Sequence, residues 1–229
     1  MTDRLRQLIT DTLRPNAQPR IEGWCSVEKA IAMADLILET LPKLVVEVGV
    51  FGGRSLIPQA MACREAGVGI VHGIDPWRQE NALEGDVGPE NADWWSKLDL
   101  HTIHKGCMEA IWHYQLESWA CVIRSAARGG CASLFRQNSI DILHIDGNHS
   151  EESSCGDVNT WLYRVRPFGH VFFDDVNWTT TAKAVAMMDG ACDRVSQVEH
   201  CILFRKRGQP DRRPTKAERE LLTTTNEPA

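Results

Sequence analysis

Residues 45–55 read VVEVGVFGGRS, and this stretch decides the fold. Val45, Val46 and Val48 form a short β-branched run of the kind that packs as a buried strand. Gly49, Gly52 and Gly53 follow at once, and glycine lets a backbone turn sharply and approach a ligand closely. Ser55 then opens a helical pattern, and the free N–H groups of a helix start favour an anionic group. Strand, glycine turn and helix in this order make one half of a βαβ unit. The spacing is neither G-x-G-x-x-G, since Phe51 stands where the second glycine belongs, nor a P-loop, which needs G-K-[ST].

The same alternation continues outward. Upstream, SVEKAIAMADLILETL (26–41) has helical periodicity with Ser26 as N-cap, and Lys29 sits where a capping box would want an acid. Downstream, GIVHGID (69–75), WACVIRSA (119–126), SIDILHID (139–146) and GHVFFDD (169–175) read as strands. Helical stretches are expected at 55–66, 130–138, 150–165 and 180–191, and RVSQVEHCILFRK (194–206) as an antiparallel hairpin. The expected class is α/β: a Rossmann-like, seven-stranded, mostly parallel sheet with a C-terminal antiparallel hairpin and helices on both faces. Ligands of such sheets bind outside the carboxyl ends of the strands.

Three regions follow: an N-terminal helical segment (1–25), a main domain (26–206) and a polar tail (207–229). Residues 78–118 form a long insertion, more than one crossover helix requires. It is acidic, carries Trp94 and Trp95, and lies on the functional edge, so it reads as a candidate lid or substrate wall.

The chain has 229 residues, 43% hydrophobic and 24% charged, which fits one large globular domain. Its formal charge is −6, yet residues from Arg205 onward carry seven basic and four acidic groups. The remainder therefore holds −9, which argues against a nucleic-acid face. No run approaches a membrane span, and the charged N-terminus does not read as a signal peptide. The eight cysteines are scattered without a C-x-x-C pair, as expected of reduced thiols in a cytoplasmic protein.

Two chemical signals stand on this frame. Asp75 ends the second strand about 20 residues beyond the glycine turn, where an acid can accept both hydroxyls of a ribose. The second signal is DILHIDGNHSEE (141–152), a buried strand that discharges Asp146, Asn148 and His149 at its end. The next parallel strand ends in Asp174 and Asp175, and adjacent strands lie about 4.8 Å apart. Three carboxylates with no counter-charge would repel one another. A hard divalent cation, Mg²⁺ above all, would relieve them.

Glu47-Val48-Gly49-Val50-Phe51-Gly52-Gly53, with Asp75 and the hairpin, resembles the E-x-G-x-x-x-G motif of class I S-adenosylmethionine-dependent methyltransferases. The acids at 146, 174 and 175 resemble the metal site of the cation-dependent O-methyltransferases. HIDGNHS and FGHVFFDDVNW look closer to the macrolide and aminocoumarin sugar branch than to the catechol branch. The resemblance implies S-adenosylmethionine contacts at Glu47, Gly49, Gly52, Gly53, Ser55, Asp75 and Asp146, with Ser125 and Ala126 beside the adenine. It implies Mg²⁺ on Asp146, Asp174 and Asp175. His149 would take the proton of the acceptor hydroxyl, although the catechol branch has lysine there and some sugar enzymes use an acid at the position of Asn148. His144, inside the strand, reads as a satisfied core residue. Trp77, Trp94, Trp95 and Trp178 are candidates for the acceptor's walls.

The expected function is Mg²⁺-dependent methyl transfer to a hydroxyl of a small molecule, with no nucleic acid or membrane partner and the oligomeric state open. A base-amino methyltransferase would carry [DN]-P-P-[YF] after the fourth strand, where this chain reads Asp-Gly-Asn-His. A non-enzymatic nucleoside or metal sensor and a hydroxylase-related member of the fold stand as alternatives.

Overall fold

The structure is a computed structural model that describes residues 1–208. Helix α1 (Asp3–Thr12) packs with α2 (Val27–Thr40) ahead of strand β1 (Leu44–Val48), helix α3 (Leu56–Ala66) and β2 (Ile70–Asp75). The insertion folds as α4 (Gln79–Ala82), α5 (Pro89–Ser96) and α6 (Leu100–His113). Then come β3 (Ala120–Arg124), β4 (Ile140–Ile145), α7 (Glu151–Trp161), β5 (Val165–Phe173), α8 (Ala182–Ala191), β6 (Cys192–Val198) and β7 (Cys201–Lys206).

The sheet order is β3-β2-β1-β4-β5-β7-β6. The first five strands are parallel, and β7 runs antiparallel to both β5 and β6. The order therefore reverses between β1 and β4, and a crevice opens there at the carboxyl ends. The expected sheet and hairpin are both present. Between 130 and 138, where a helix was expected, a 3-10 turn covers only Gly130–Leu134. Strand β5 begins at Val165, earlier than its apolar run indicates, with a register shift against β4 between Ile140 and Ile142.

Side-chain alternation splits the core in two. Val45, Ile142 and Phe172 pack with α1, α2, α3 and α6, while Val46, Leu143, Ile145 and Phe173 pack with α7 and α8. Leu5, Ile9, Leu13 and Ile21 of the N-terminal segment are buried in the first of these cores. Every cysteine is free. The expected tail beyond residue 208 lies outside the described residues.

Candidate active site

Glu47 pairs with His144 across β1 and β4, and His144 pairs with Phe172 across β4 and β5. Residues two apart on a strand share a face, so Asp146 and Asp174, just past these strand ends, share the face of Glu47 and His144. That face is covered by α2, and α2 delivers Lys29. Backbone bonds extend the ladder into the site: Asp146 N donates to Val48 O (2.8 Å) and Asp174 N to Ile145 O (3.0 Å).

The polar groups form two linked pairs of opposite charge. Lys29, only 6% exposed, donates to Asp174 Oδ2, and its Nζ is 3.8 Å from Asp146 Oδ2. His144 Nε2 lies 3.4 Å from Asp174 Oδ2 and 3.8 Å from Asp146 Oδ2, while Nδ1 lies 3.2 Å from Glu47 Oε2. On the outer side His149 Nε2 is 2.8 Å from Asp175 Oδ2 and 3.9 Å from Asp146 Oδ1. Its ring leans on Trp178, with centroids 4.9 Å apart.

These contacts govern protonation. Burial opposes the charge on His149, but Asp146 and Asp175 outweigh it and push the imidazole up to about 10. His144, also opposed by burial, is raised to about 9 by Asp174 and Glu47. Burial works against the Asp174 carboxylate, yet His144 and Lys29 hold it well below the usual range. Lys29 stays protonated because Asp146, Cys25 and Asp174 overcome its desolvation.

Asp146 gathers with Asp174 on one side and with Asp175 on the other, in two separate groups, and the premise that these acids lack a counter-charge fails. Lys29 stands between Asp146 and Asp174, and His149 between Asp146 and Asp175. The residue sets His144–Asp146–Asp174 and Asp146–His149–Asp175 each bring donor atoms within 4.8 Å of one another. Both include an imidazole, and the first also touches the ammonium, whereas Mg²⁺ wants an all-oxygen octahedron at about 2.0–2.1 Å. The donor set does not fit Mg²⁺ on three aspartates, and no chemical step is assigned to it.

At the other end of the crevice the glycine turn is held by Asp75. Its Oδ2 accepts from Val50 N (3.0 Å) and Phe51 N (2.9 Å), and its Oδ1 accepts from Trp77 N (2.7 Å). Burial raises its pKa, against these N–H bonds. A Cβ on Gly49 would stand 1.9 Å from Asp146 O, so glycine is what lets β1 and β4 end side by side.

A cavity of about 930 Å³ spans these groups, reaching Gly49, Asp75, Asp146, His149, Asp175 and Ser55. Ala126, Trp77, Trp94, Trp95, Trp178 and Asp174 also face it. Four of the expected cofactor residues do not. Glu47 is wholly buried and spent on Ser55 Oγ (2.8 Å), Gln59 and His144, so it braces the start of α3. Gly52 and Gly53 make room for Glu22 O and Cys107 Sγ, which are packing partners, not ligands. Ser125 turns its hydroxyl to Ala126 O. Trp77 faces the cavity but is 3% exposed, its indole N–H bonded to Phe51 O (2.8 Å), so its bulk belongs to the core.

Several cavity residues escaped the sequence reading: Lys29, Trp24, Arg128 and Asp157. Lys29 carried one signal, a lysine placed wrongly for a helix N-terminus. Trp24 is 66% exposed, stacks on Phe51 (5.0 Å) and meets Trp94 edge-on (5.2 Å).

A cavity at the sheet's switch point, floored by a glycine turn and closed by an acid–imidazole cluster, defines a class of α/β domain that handles a small ligand at its strand ends. Residues 46–176, more than half of the chain, match the family described as Methyltransferase domain, and the chain belongs to that family. Among solved structures the O-methyltransferase NovP superposes with a TM-score of 0.65 at 13% identity, over 88% of this chain and 98% of that one. The SAH-bound Podospora anserina methyltransferase PaMTH1 gives 0.59 at 16% identity, over 91% and 89% of the two chains. The O-methyltransferase from Bacillus cereus in complex with SAH gives 0.57 at 13% identity, over 90% and 92%. At these identities the likeness is one of fold. No curated protein matches the sequence.

Proposed function

We propose that this domain transfers the methyl group of S-adenosylmethionine to a hydroxyl of a small-molecule acceptor. The observation that carries the reading is one continuous cavity with the Gly49–Asp75 turn at one end and the His149–Asp175 pair at the other. Asp75 Oδ2 already accepts two backbone N–H bonds, whereas Oδ1 accepts one and keeps a lone-pair site, so a ribose hydroxyl can bond there. Ala126 lines the same cavity beyond β3, which supports a seat for the adenine on that side. The aromatic surfaces of Trp24, Phe51, Trp94 and Trp95 favour an acceptor that carries a ring. Two of the structural neighbours are named as O-methyltransferases, which supports oxygen as the methylated atom.

Bound S-adenosylmethionine would supply an electrophilic methyl carbon on a sulfonium that can depart as a neutral thioether, and the residues of this chain would align the acceptor oxygen with it and take its proton. The cavity's contribution is position, since in-line geometry held in a closed site removes much of the entropic barrier. The hydroxyl proton passes to His149, oriented by Asp175. Because His149 is pushed up to about 10, it holds its proton at neutral pH. The rate should therefore keep climbing above pH 7, where an unperturbed imidazole would already have levelled off near 6.5.

Calorimetry with S-adenosylmethionine tests the cofactor half directly. The parent should bind, and Asp75→Asn, which exchanges one acceptor oxygen for a donor, should bind at least about tenfold more weakly. Unchanged affinity in the variant, or no binding by the parent, removes the reading. Mass spectrometry of ring-bearing alcohols and phenols incubated with cofactor should reveal the gain of a methyl group.

A further inference from the structure

Lys29 is the group that neither the fold nor the methyl-transfer reading accounts for. It leaves the first turn of α2, two residues inside the N-terminus, where a positive side chain opposes the helix dipole. Ser26 Oγ caps the backbone N–H of Lys29 at 3.0 Å, which fixes the root of the side chain. The stem is buried, and the ammonium ends between Asp174 Oδ2 and Asp146 Oδ2. His144, in the strand between, turns Nε2 to the same two oxygens at 3.4 and 3.8 Å. A lysine so placed is costly unless its charge is needed.

We propose that Lys29 stands in the place of a metal ion: its ammonium is the internal cation of the Asp146–Asp174 pair, and the domain acts on its substrate without a divalent metal. The second half of this statement rests on the methyl-transfer reading; the first does not. The two oxygens that would coordinate an ion on this pair are the two that face Lys29. A divalent cation there would lie within a few ångströms of an ammonium that has no lone pair to offer and cannot ligate. The ammonium and the ion therefore exclude each other. The remaining acid, Asp175, is matched by His149 at 2.8 Å, so the cluster has a protein cation for each exposed carboxylate gap. The consequence is that one lysine of α2, outside the strand-end motif, supplies the cation that keeps the motif's two facing oxygens from a metal.

The test is titration of the full chain with Mg²⁺ alone, followed by calorimetry, with no cofactor or acceptor present. The wild-type protein should take up no Mg²⁺ at stoichiometric level. Lys29→Met, which keeps the stem and removes the charge, should open the site and bind Mg²⁺ at least about tenfold more tightly than the parent. Lys29→Arg keeps the charge and should stay blind to the ion. Stoichiometric uptake by the wild type overturns the proposal, as does a folded Lys29→Met protein that remains blind. Should Lys29→Met fail to fold, Lys29→Gln, which also removes the charge, takes its place in the titration, and a folded Lys29→Gln protein that remains blind overturns the proposal equally. Uptake is read without turnover, so this result stands apart from the fate of the methyl-transfer reading. Where turnover is found, it should persist in excess chelator, and its loss there overturns the metal-independent half.

Discussion

Asn148 donates through one amide nitrogen to the carbonyls of Asn81 (3.0 Å), Ala82 (2.9 Å) and Glu84 (3.0 Å), and its Oδ1 accepts from Ser150 N (2.8 Å). It therefore clasps the end of α4 to the end of β4, and in this structure it does no proton chemistry. Asn148→Ala should release the segment around 79–84, seen as faster amide exchange or proteolysis there, with a cost of about 1–3 kcal/mol from the unmet carbonyls. Asn148→Asp should be worse, since a carboxylate would face three carbonyl oxygens with nothing to donate. Equal protection in all three proteins would discard the clasp. None of this was legible in the sequence, because the partners are main-chain atoms more than 60 residues away. Lys29 was hidden for a related reason: periodicity assigns a residue to a helix, but not the distant acid its side chain reaches. Asp146, Asp174, Asp175 and His149 were legible because strand ends on one sheet edge must meet.

At the scale of elements the strands and long helices could be read from apolar runs and caps, as with Ser26 before α2. The failures lie where local chemistry overrode pattern. Gly129 and Gly130 limit the 130–138 stretch to a 3-10 turn. Phe168, at φ +63°, breaks the apolar run inside β5. The insertion was legible as a lid candidate but not in its division of labour. Trp94 and Trp95 are neighbours in α5, yet Trp94 is 40% exposed while Trp95 packs against the main core. Their rings meet at 5.0 Å, and Phe51 from the glycine turn lies 5.7 Å from Trp95. Trp94→Ala should raise the acceptor KM and leave chemical denaturation almost unchanged. Trp95→Ala should lower stability by about 1–2 kcal/mol, less than a fully buried tryptophan would cost. Equal effects of the two changes on both measurements would show that α5 acts as a single block.

Over the whole molecule the buried charges set how stability follows pH. Asp157, 4% exposed, is raised to about 7 by burial despite Arg128 Nε at 3.9 Å. Its folded form holds a proton that the unfolded chain gives up near its ordinary value of about 3.9, so stability falls as pH rises from about 4 to 7. His144 and His149, raised to about 9 and 10, contribute stability that is full below about 6.5 and is lost as pH climbs through those values. Asp174 works in the opposite sense: its depressed pKa contributes stability above about 4 that is lost as pH falls below it. The two trends cross on the acid side, so the melting temperature should peak between about pH 4 and 6 and decline steadily toward pH 9. Asp157→Asn should flatten the decline below pH 7 and leave the upper part intact. His149→Ala should flatten the part above pH 7, because the imidazole that lost its proton there is gone. A melting temperature level from pH 5 to 9, or a slope that neither substitution alters, would mean that these buried pairs do not govern the fold's response to protons.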